Sequence, residues 1–237
     1  MTGGPPDPRF ANRSYGRRTG RSLRPTRRRL LEELLPEIRV PLDAAAGPLD
    51  PRSLFADRPE AVWLEIGFGG GEHLAAQAEA HPAIGLIGCE PFVNGVASLL
   101  AQVDGRGLGN VRILDDDARL LLERLAEASV KRVFVLFADP WPKARHAKRR
   151  FVRPETLDAL ARVMADGAEF RFASDDMIHV RWALEQVLVH PAFDWPARGP
   201  ADWRCPPVDW CETRYEAKAR QAGRPCVYLT FRRRPRS

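Results

Sequence analysis

The chain has 237 residues, of which 44% are hydrophobic, and a net charge of +6, which suits one globular domain with tails. No apolar stretch approaches the ~20 residues needed to span a bilayer, and the N-terminus lacks the apolar centre of a secretory signal, so we expect a cytoplasmic protein with no membrane partner. The four cysteines lack a C-x-x-C spacing and the five histidines form no His-x-x-x-His pair, which argues against disulfides and a bound metal.

Positive charge is concentrated in three segments. Residues 1–30 hold nine arginines and one acid, a net charge of +8, whereas residues 143–150 contribute +5 and residues 232–236 contribute +4. This distribution predicts a phosphate-rich partner, with solvated tails as the alternative at both termini. Residues 1–30 also contain four Gly and four Pro without apolar periodicity, which predicts a flexible basic tail that stays disordered until it meets a partner.

A regular alternation of strand and helix patterns follows a short helix near residues 28–35 and a proline-rich linker to about residue 59. The strand patterns are AVWLEIG, AIGLIGCE, NVRILDDD, RVFVLFAD and AEFRFASDD, and the helix patterns are EHLAAQAEA, FVNGVASLLAQVD, ARLLLERLAEAS, PETLDALARVMA and MIHVRWALEQVLVH. Such alternation predicts βαβ units and a parallel sheet covered by helices on both faces. Ligands of these sheets bind beyond the carboxyl ends of the strands.

The last third of the chain has a different character. Residues 195–210 are rich in Pro and Trp, TRYEAKARQAG is typical of a helix, and CVYLTF is typical of a closing strand. We therefore predict an appended element rather than another βα unit, and we assign residues 31–237 to one domain.

The glycine-rich stretch LEIGFGGGEHL, about residues 65–72, connects the first strand to its helix. Its glycines let the backbone turn sharply and let a ligand approach the helix N-terminus, although a glycine turn that binds nothing is the alternative. A dinucleotide fingerprint needs Gly or Ala where this chain has Glu72, so a nicotinamide-dependent dehydrogenase is disfavoured.

Acids lie at the ends of three neighbouring strands. Glu65 precedes the glycine turn, Glu90 ends the second strand, and Asp116 or Asp117 ends the third. Carboxylates there can accept hydrogen bonds from amino and ribose hydroxyl groups, and three of them around one glycine turn indicate S-adenosylmethionine, whose sulfonium is positive. For each acid alone, a loop-end cap is an equal alternative.

The stretch FADPWPKARHAKRRF raises a question about Asp139, because its cations favour a polyanion that this carboxylate would repel. Asp139 must therefore have a separate local role. The alternative is a rigid turn capped by Asp139, with Trp141 in the core, a solvated basic loop after it, and His146 as a neutral surface residue.

The ordered set LEIGFGGGEHL, GCEP, DDDA, DPWPKARHAKRR, ASDD and TRYE resembles the bacterial tRNA (guanine-N7-)-methyltransferase family, over residues of about 60 to 231. The resemblance implies a class I, Rossmann-like, seven-stranded and mostly parallel α/β sheet with helices on both faces and a final antiparallel strand, supplied by CVYLTF. It implies transfer of a methyl group from S-adenosylmethionine to nitrogen 7 of a guanine in the variable loop of tRNA, by a monomer or homodimer.

The resemblance also assigns roles to individual residues, with Asp139 as the catalytic residue. The cofactor-binding set is Glu65, Gly67, Gly69, Gly71, Glu90, Asp117 and Asp139; the substrate-binding set is Lys143, Asp175, Thr213, Arg214, Tyr215 and Glu216; the RNA-binding set is Arg145, His146, Ala147, Lys148, Arg149 and Arg150. The family usually has Lys where this chain has Arg214, and the Arg-rich leader is not part of its pattern. TRYE could equally begin a helix, with Thr213 as N-cap and Glu216 as its capping-box partner.

The chemistry gives Asp139 a role. Nitrogen 7 of guanine carries a free lone pair, so it attacks a methyl group without first losing a proton, and no general base is needed. Positive charge moves to the purine during transfer, and a carboxylate at the strand end stabilises it. Two further alternatives stay open at this point: an amino-group methyltransferase of the same fold, and an RNA-binding protein that has lost catalysis.

Overall fold

The computed structural model describes residues 18–42 and 47–236. Residues 1–17 of the predicted tail lie outside this range. Helix α1 begins at Pro25 and its Leu30 is buried, so the predicted tail boundary at residue 30 falls inside a packed helix. Proline at the first helical position favours this start, because its fixed φ suits a helix and its missing N–H is not needed there.

The sheet has seven strands in the order β3-β2-β1-β4-β5-β7-β6. Strands β1 to β5 run parallel, and β7 runs antiparallel to both β5 and β6. The strands are β1 Ala61–Ile66, β2 Ile84–Cys89, β3 Val111–Leu114, β4 Val130–Leu136, β5 Met164–Ser174, β6 Phe193–Asp194 and β7 Val227–Arg233. The predicted fold class is confirmed. The strand order reverses between β1 and β4, which is where such sheets bind ligands.

Nine α-helices are described, and most of them cover the two faces of the sheet. They are α1 Pro25–Glu33, α2 Leu35–Ile38, α3 Glu72–Ala80, α4 Val93–Arg106, α5 Ala118–Arg124, α6 Pro154–Val163, α7 Met177–Leu188, α8 Ala201–Arg204 and α9 Arg214–Gln221, with 3-10 helices at Pro51–Leu54 and Ala144–Arg149. None of the helices in the described ranges is long and apolar enough to cross a membrane.

Alternation along β1 divides the core into two layers. Val62, Leu64 and Ile66 pack against the layer that includes α5, α6 and α7, whereas Trp63 packs against α1, α3 and α4. Since successive side chains of a strand point to opposite faces, Glu65 shares the face of Trp63 and is directed toward α3. Glu65 therefore faces the layer that includes α1, α3 and α4.

Several boundaries differ from the sequence prediction, and the largest difference is at α5, which was predicted to run to residue 129 but ends at Arg124. Met164 and Ala165 were assigned to the end of a helix, but α6 ends at Val163 and β5 starts at Met164. The predicted helix after β5 ran through residue 190, whereas α7 ends at Leu188 and the two-residue strand β6 follows. A strand of two residues has no periodicity, so the residues alone did not predict it.

Candidate active site

The glycine turn between β1 and α3 uses backbone conformations that disfavour other residues. Gly67, Gly69 and Gly71 have φ values of 72°, 57° and 80°. A Cβ atom on Gly69 would lie 2.8 Å from the ring of Tyr215, whereas one on Gly67 would meet no atom within 4 Å. The turn therefore leaves open space above Gly67 and lets the α9 segment pack directly on Gly69.

Glu90 holds the turn from the end of β2. One of its oxygens accepts a hydrogen bond from the Gly69 N–H at 2.8 Å, and the other accepts one from the Phe92 N–H at 2.9 Å. Burial raises the pKa of the Glu90 carboxyl, these two N–H groups lower it, and the charge of Asp139 raises it again. The carboxylate thus connects the predicted cofactor turn to the start of α4.

Asp117 is paired within its own turn. It caps α5 by accepting from the Arg119 N–H at 3.0 Å, and the Arg119 guanidinium donates to its two oxygens at 2.9 and 2.7 Å. Both residues are buried and both line the cavity described below. Arg119 was not predicted as a site residue, because a cation in the first turn of a helix has no distinctive sequence signal.

Glu65 does not line this cavity. Its carboxylate lies 2.7 Å from Nδ1 of His73 on α3, and the two residues are 3% and 1% exposed. Gly71, the other predicted cofactor residue outside the cavity lining, precedes α3 as its N-cap. The four acids predicted for the cofactor site therefore occupy different surroundings.

A cavity of about 590 Å³ opens at the carboxyl ends of β1, β2 and β4. Six predicted site residues line it together with Arg149 of the basic segment: Gly67, Gly69, Glu90, Asp117, Asp139 and Tyr215. Phe92, Phe137 and Trp141 supply aromatic surface there. Asp139 is exposed at the rim of the cavity, so its carboxylate is open to a ligand that enters from the solvent.

Two aromatic residues with positive φ flank Asp139. Phe137 and Trp141 have φ values of 51° and 43°, a region that bulky side chains rarely occupy. Such strain persists only where surrounding contacts hold it, and it is often found at functional sites. The Phe137 N–H donates to the Ala173 carbonyl at 2.7 Å, which ties the first residue of this turn to β5.

Arg150 holds the other end of the turn. Its Nε donates to the Pro140 carbonyl at 2.9 Å and its guanidinium donates to the Trp141 carbonyl at 3.0 Å, while Trp182 stacks on it at 4.8 Å. Arg150 was predicted to contact RNA, but it is 4% exposed and two of its three nitrogens donate to backbone carbonyls inside the protein. The structure therefore places Arg150 beneath the Asp139 turn and not on the surface that a phosphate could reach.

The remaining basic segment forms a 3-10 helix over Ala144–Arg149. Lys143, Arg145 and Lys148 are exposed, and none of them forms an ion pair with another described residue. Partial desolvation, followed by the neighbouring cations, lowers the pKa of His146, which keeps this ring neutral at pH 7. Ala147, which was also predicted to contact RNA, is half-buried.

One aromatic side chain connects the basic segment to the cavity. The guanidinium of Arg149 lies 4.7 Å from the ring centre of Trp141, and the His146 ring meets the same indole edge-on at 5.8 Å. Because Trp141 lines the cavity, the basic segment is packed against the cavity wall through this indole.

The TRYE segment divides its residues between structure and site. Thr213 caps α9 by accepting from the Glu216 N–H at 3.1 Å, which confirms the predicted N-cap. Tyr215 lines the cavity, and the Arg214 guanidinium stacks on its ring at 5.0 Å. Arg214 also lies 3.7 Å from Glu72 of α3.

Glu216 is fully buried, and its carboxylate accepts hydrogen bonds from three side chains. They are Trp210 Nε1 at 2.6 Å, the Arg220 guanidinium at 2.7 Å and the Tyr228 hydroxyl. Glu216 was predicted to bind substrate, but these contacts make it an internal anchor that joins α9 to β7 and to the loop before α9.

Asp175, at the end of β5, does not line the cavity and forms an ion pair with the Arg224 guanidinium at 2.7 Å. The structure therefore brings Tyr215 to the cavity but leaves the other predicted substrate residues outside its lining: Lys143, Asp175, Thr213, Arg214 and Glu216.

The other two basic segments are in different surroundings. The C-terminal arginines form ion pairs across the protein surface: Arg232 with Glu169, Arg234 with Asp194 and Arg236 with Asp166. At the N-terminus, Arg18 pairs with Asp116 at 2.8 Å and the Gly20 N–H donates to Asn94 at 2.8 Å. The described end of the Arg-rich leader therefore lies against the start of α4, beside the cavity.

Comparison with known proteins decides the family. The family described as "Putative methyltransferase" matches residues 59–229. A Rhodospirillum rubrum protein named tRNA (guanine-N(7)-)-methyltransferase is 56% identical, over 98% of this chain and 92% of the relative. A Paramagnetospirillum magneticum protein of the same name is 52% identical, over 97% of this chain and 94% of the relative. The chain belongs to the tRNA (guanine-N(7)-)-methyltransferase family. The family predicted from the motifs is therefore confirmed. The prediction that the protein is an S-adenosylmethionine-dependent methyltransferase is confirmed with it.

Solved structures share the fold. An rRNA methylase of Streptococcus thermophilus aligns with a TM-score of 0.51 at 12% identity, over 74% of this chain and 88% of the other. An S-adenosylmethionine-dependent O-methyltransferase of Thermotoga maritima aligns with a TM-score of 0.50 at 14% identity, over 88% of this chain and 72% of the other. At these identities the likeness concerns the fold alone. Across residues 18–42 and 47–236, no group of His, Cys, Asp and Glu side chains is arranged to hold a metal ion.

Proposed function

We propose that this protein transfers a methyl group from S-adenosylmethionine to nitrogen 7 of a guanine in the variable loop of tRNA, in the cytoplasm. The observation that carries the proposal is the cavity of about 590 Å³ that joins the glycine turn to Asp139 and Trp141 beside a basic segment. Relatives named for this reaction support the choice of base and RNA.

The cavity suits the proposed methyl donor. The open space above Gly67 is a cradle that a Cβ atom would begin to fill, so a ligand can approach the backbone closely there. Glu90 and Asp117 place carboxylates at the ends of neighbouring strands, where they suit ribose hydroxyl groups. Ile66 and Val135 add apolar surface, which suits an adenine ring.

When bound, S-adenosylmethionine supplies a methyl group on a positively charged sulfur and takes back the electron pair of the broken carbon–sulfur bond. The protein needs no base, because the guanine nitrogen already carries the lone pair that forms the new bond. Asp139 accepts hydrogen bonds from guanine N–H groups and stabilises the positive charge that develops on the purine. Arg150 holds the Asp139 turn in place, and such positioning supplies much of the rate.

RNA binding is assigned to surfaces on either side of the cavity. Lys143, Arg145 and Lys148 present exposed cations on one side, where they suit backbone phosphates. Trp141 lines the cavity, and its indole offers a stacking surface for an unstacked base. Arg24 and Arg27 of the leader and α1 are exposed and add positive charge beyond the other edge.

The test is transfer of labelled methyl groups from S-adenosylmethionine to unmodified tRNA, followed by nucleoside analysis. We expect 7-methylguanosine with the wild type, and loss of transfer with Asp139→Asn although tRNA still binds. Asp57→Asn is the matched control, because Asp57 is an exposed acid outside the cavity. Label in an amino-methylated nucleoside would show that an amino group, and not guanine N7, is the target. Absence of label from every nucleoside would contradict the proposed reaction.

A further inference from the structure

A buried polar chain lies directly behind the glycine turn. Glu65 at the end of β1 and His73 in the first turn of α3 are almost fully enclosed, and their side chains meet at 2.7 Å. The layer around them is apolar, with Leu74 and Phe134 among its members. A carboxylate in such a layer is costly unless a donor accompanies it.

The neighbours of His73 determine which ring nitrogen carries the proton. The Gln77 amide nitrogen donates to the Asp209 carbonyl at 2.8 Å and also faces Nε2 of His73 at 3.4 Å. Reversing the amide would place its oxygen against the Asp209 carbonyl oxygen, which pairs two acceptors. Nε2 of His73 is therefore the acceptor, and its Nδ1–H donates to Glu65.

His73 also contacts the loop that leads into α9. Its ring packs edge-on against Phe134 at 4.8 Å and lies tilted against Trp210 at 5.6 Å. Trp210 in turn donates to Glu216 on α9, the helix that carries Tyr215 into the cavity. One imidazole thus touches both the acid behind the turn and the segment that closes over it.

We infer that His73 is a positioning residue, which fixes the Glu65 carboxylate directly behind the glycine turn, where its charge attracts the α-ammonium group of the methyl donor, and which keeps the α9 segment packed over the glycine turn. The inference rests on the proposed function. Its basis is that one Glu65 oxygen is held by Nδ1 while the other accepts no hydrogen bond from a described residue, so the charge of this carboxylate, behind the turn and outside the cavity lining, remains available to attract a cationic ligand.

Two substitutions separate hydrogen bonding from packing. His73→Phe keeps an aromatic ring against Phe134 and Trp210 but removes the donor, so Glu65 loses its only described partner. His73→Asn keeps an N–H near the position of Nδ1 while removing most of the ring. His81→Phe is the matched control, because His81 packs against Trp63 at the end of the same helix and makes no side-chain contact with Glu65.

The probes are two thioethers related to the methyl donor, and their affinities for the protein are measured by calorimetry. S-adenosylhomocysteine retains the amino-acid end, whereas 5′-methylthioadenosine lacks it. We expect His73→Phe to weaken S-adenosylhomocysteine binding about tenfold, equivalent to about 1.4 kcal/mol, and to leave methylthioadenosine binding within about twofold. His73→Asn should restore most of the difference, and His81→Phe should match the wild type for both ligands.

Each other outcome has a defined meaning. Equal weakening of both ligands by His73→Phe, or equal weakening by the Phe and Asn variants, would show that His73 acts through packing and would overturn the inference. Unchanged binding in both variants would overturn it as well. If His73→Phe fails to fold, the Asn variant still tests the inference. Because Asn keeps an N–H donor, it should bind S-adenosylhomocysteine nearly as tightly as the wild type does. Weaker binding of S-adenosylhomocysteine with unchanged binding of methylthioadenosine would contradict the inference. Failure of the wild type to bind either ligand would instead refute the proposed function.

Discussion

Stability at mildly acidic pH should depend on His179, a fully buried residue of α7. Neither ring nitrogen has a hydrogen-bond partner among the described residues, and the ring packs edge-on against Phe172 at 4.9 Å. Burial, with the nearby Arg150 cation second, lowers the pKa of His179 from 6.5 to about 4, although Asp176 acts in the opposite direction. Protonation in the folded state therefore places a cation in a site built for a neutral ring.

The sign and size of the effect follow from proton linkage. Between pH 6.5 and about 4 the unfolded chain binds a proton at His179 that the folded chain does not, so stability falls as the pH falls through this window. From pH 7.5 to pH 5.0 this single group should reduce the free energy of unfolding by about 2 kcal/mol. Above pH 6.5 the contribution is constant.

The assay is urea unfolding of wild type and His179→Leu at both pH values. Leu fills a similar volume and cannot be protonated, so the variant should lose about 2 kcal/mol less than the wild type between the two pH values. Leu should also raise stability at pH 7.5 by about 1 kcal/mol, because an unsatisfied buried donor is removed. Equal pH dependence in the two proteins would refute the reasoning.

Three further predictions concern the site. Arg150→Gln should reduce kcat by on the order of tenfold to a hundredfold while tRNA affinity in a filter-binding assay changes little, because the variant releases the Asp139 turn but removes no exposed cation; a loss confined to tRNA affinity would contradict this. Glu216→Gln should lower the free energy of unfolding by about 1–3 kcal/mol in urea, because an amide has one acceptor oxygen where the buried carboxylate accepts from Trp210, Arg220 and Tyr228; wild-type stability would show that the carboxylate is dispensable. Charge reversal at Lys143 and Lys148 should weaken tRNA binding and reduce the slope of log K against log salt by roughly 2; an unchanged slope would move the phosphate contacts to α1 and the leader.

The alternation of patterns from residue 61 to residue 188 was sufficient to predict five parallel strands and the helices between them. It works because buried parallel strands form short apolar runs and because caps mark the helix starts, as Asp117 and Asp176 do. Strand β6 escaped the residue pattern because it gains its place through pairing with β7, which is a tertiary effect. The residue pattern predicted the closing strand β7 as well, whereas the total of seven strands came only from the resemblance.

The candidate site could be predicted as a set of residue types, but not as an arrangement of side chains. A run of five cations between residues 143 and 150 has no feature that marks Arg150 as the buried one, because the aromatic ring that stacks on it, Trp182, lies on a helix far along the chain. For the same reason the arginines of residues 232–236 resemble a phosphate-binding tail until their acidic partners on β5 and β6 are known. Charge composition predicts a partner class, whereas burial decides which charges can meet it.

The four acids predicted for the cofactor site differ in their surroundings, and the difference indicates their roles. Glu65 is held by His73, Glu90 by two backbone N–H groups and Asp117 by Arg119, so each is oriented before any ligand arrives. Burial makes these contacts necessary, because an unpaired carboxylate inside the protein would be costly. Asp139 needs no such partner while water solvates it at the rim. In the proposed reaction a guanine would cover Asp139 and exclude that water. The same charge would then act through a lower dielectric, and its attraction for the positive charge that develops on the purine would become stronger at the moment of transfer.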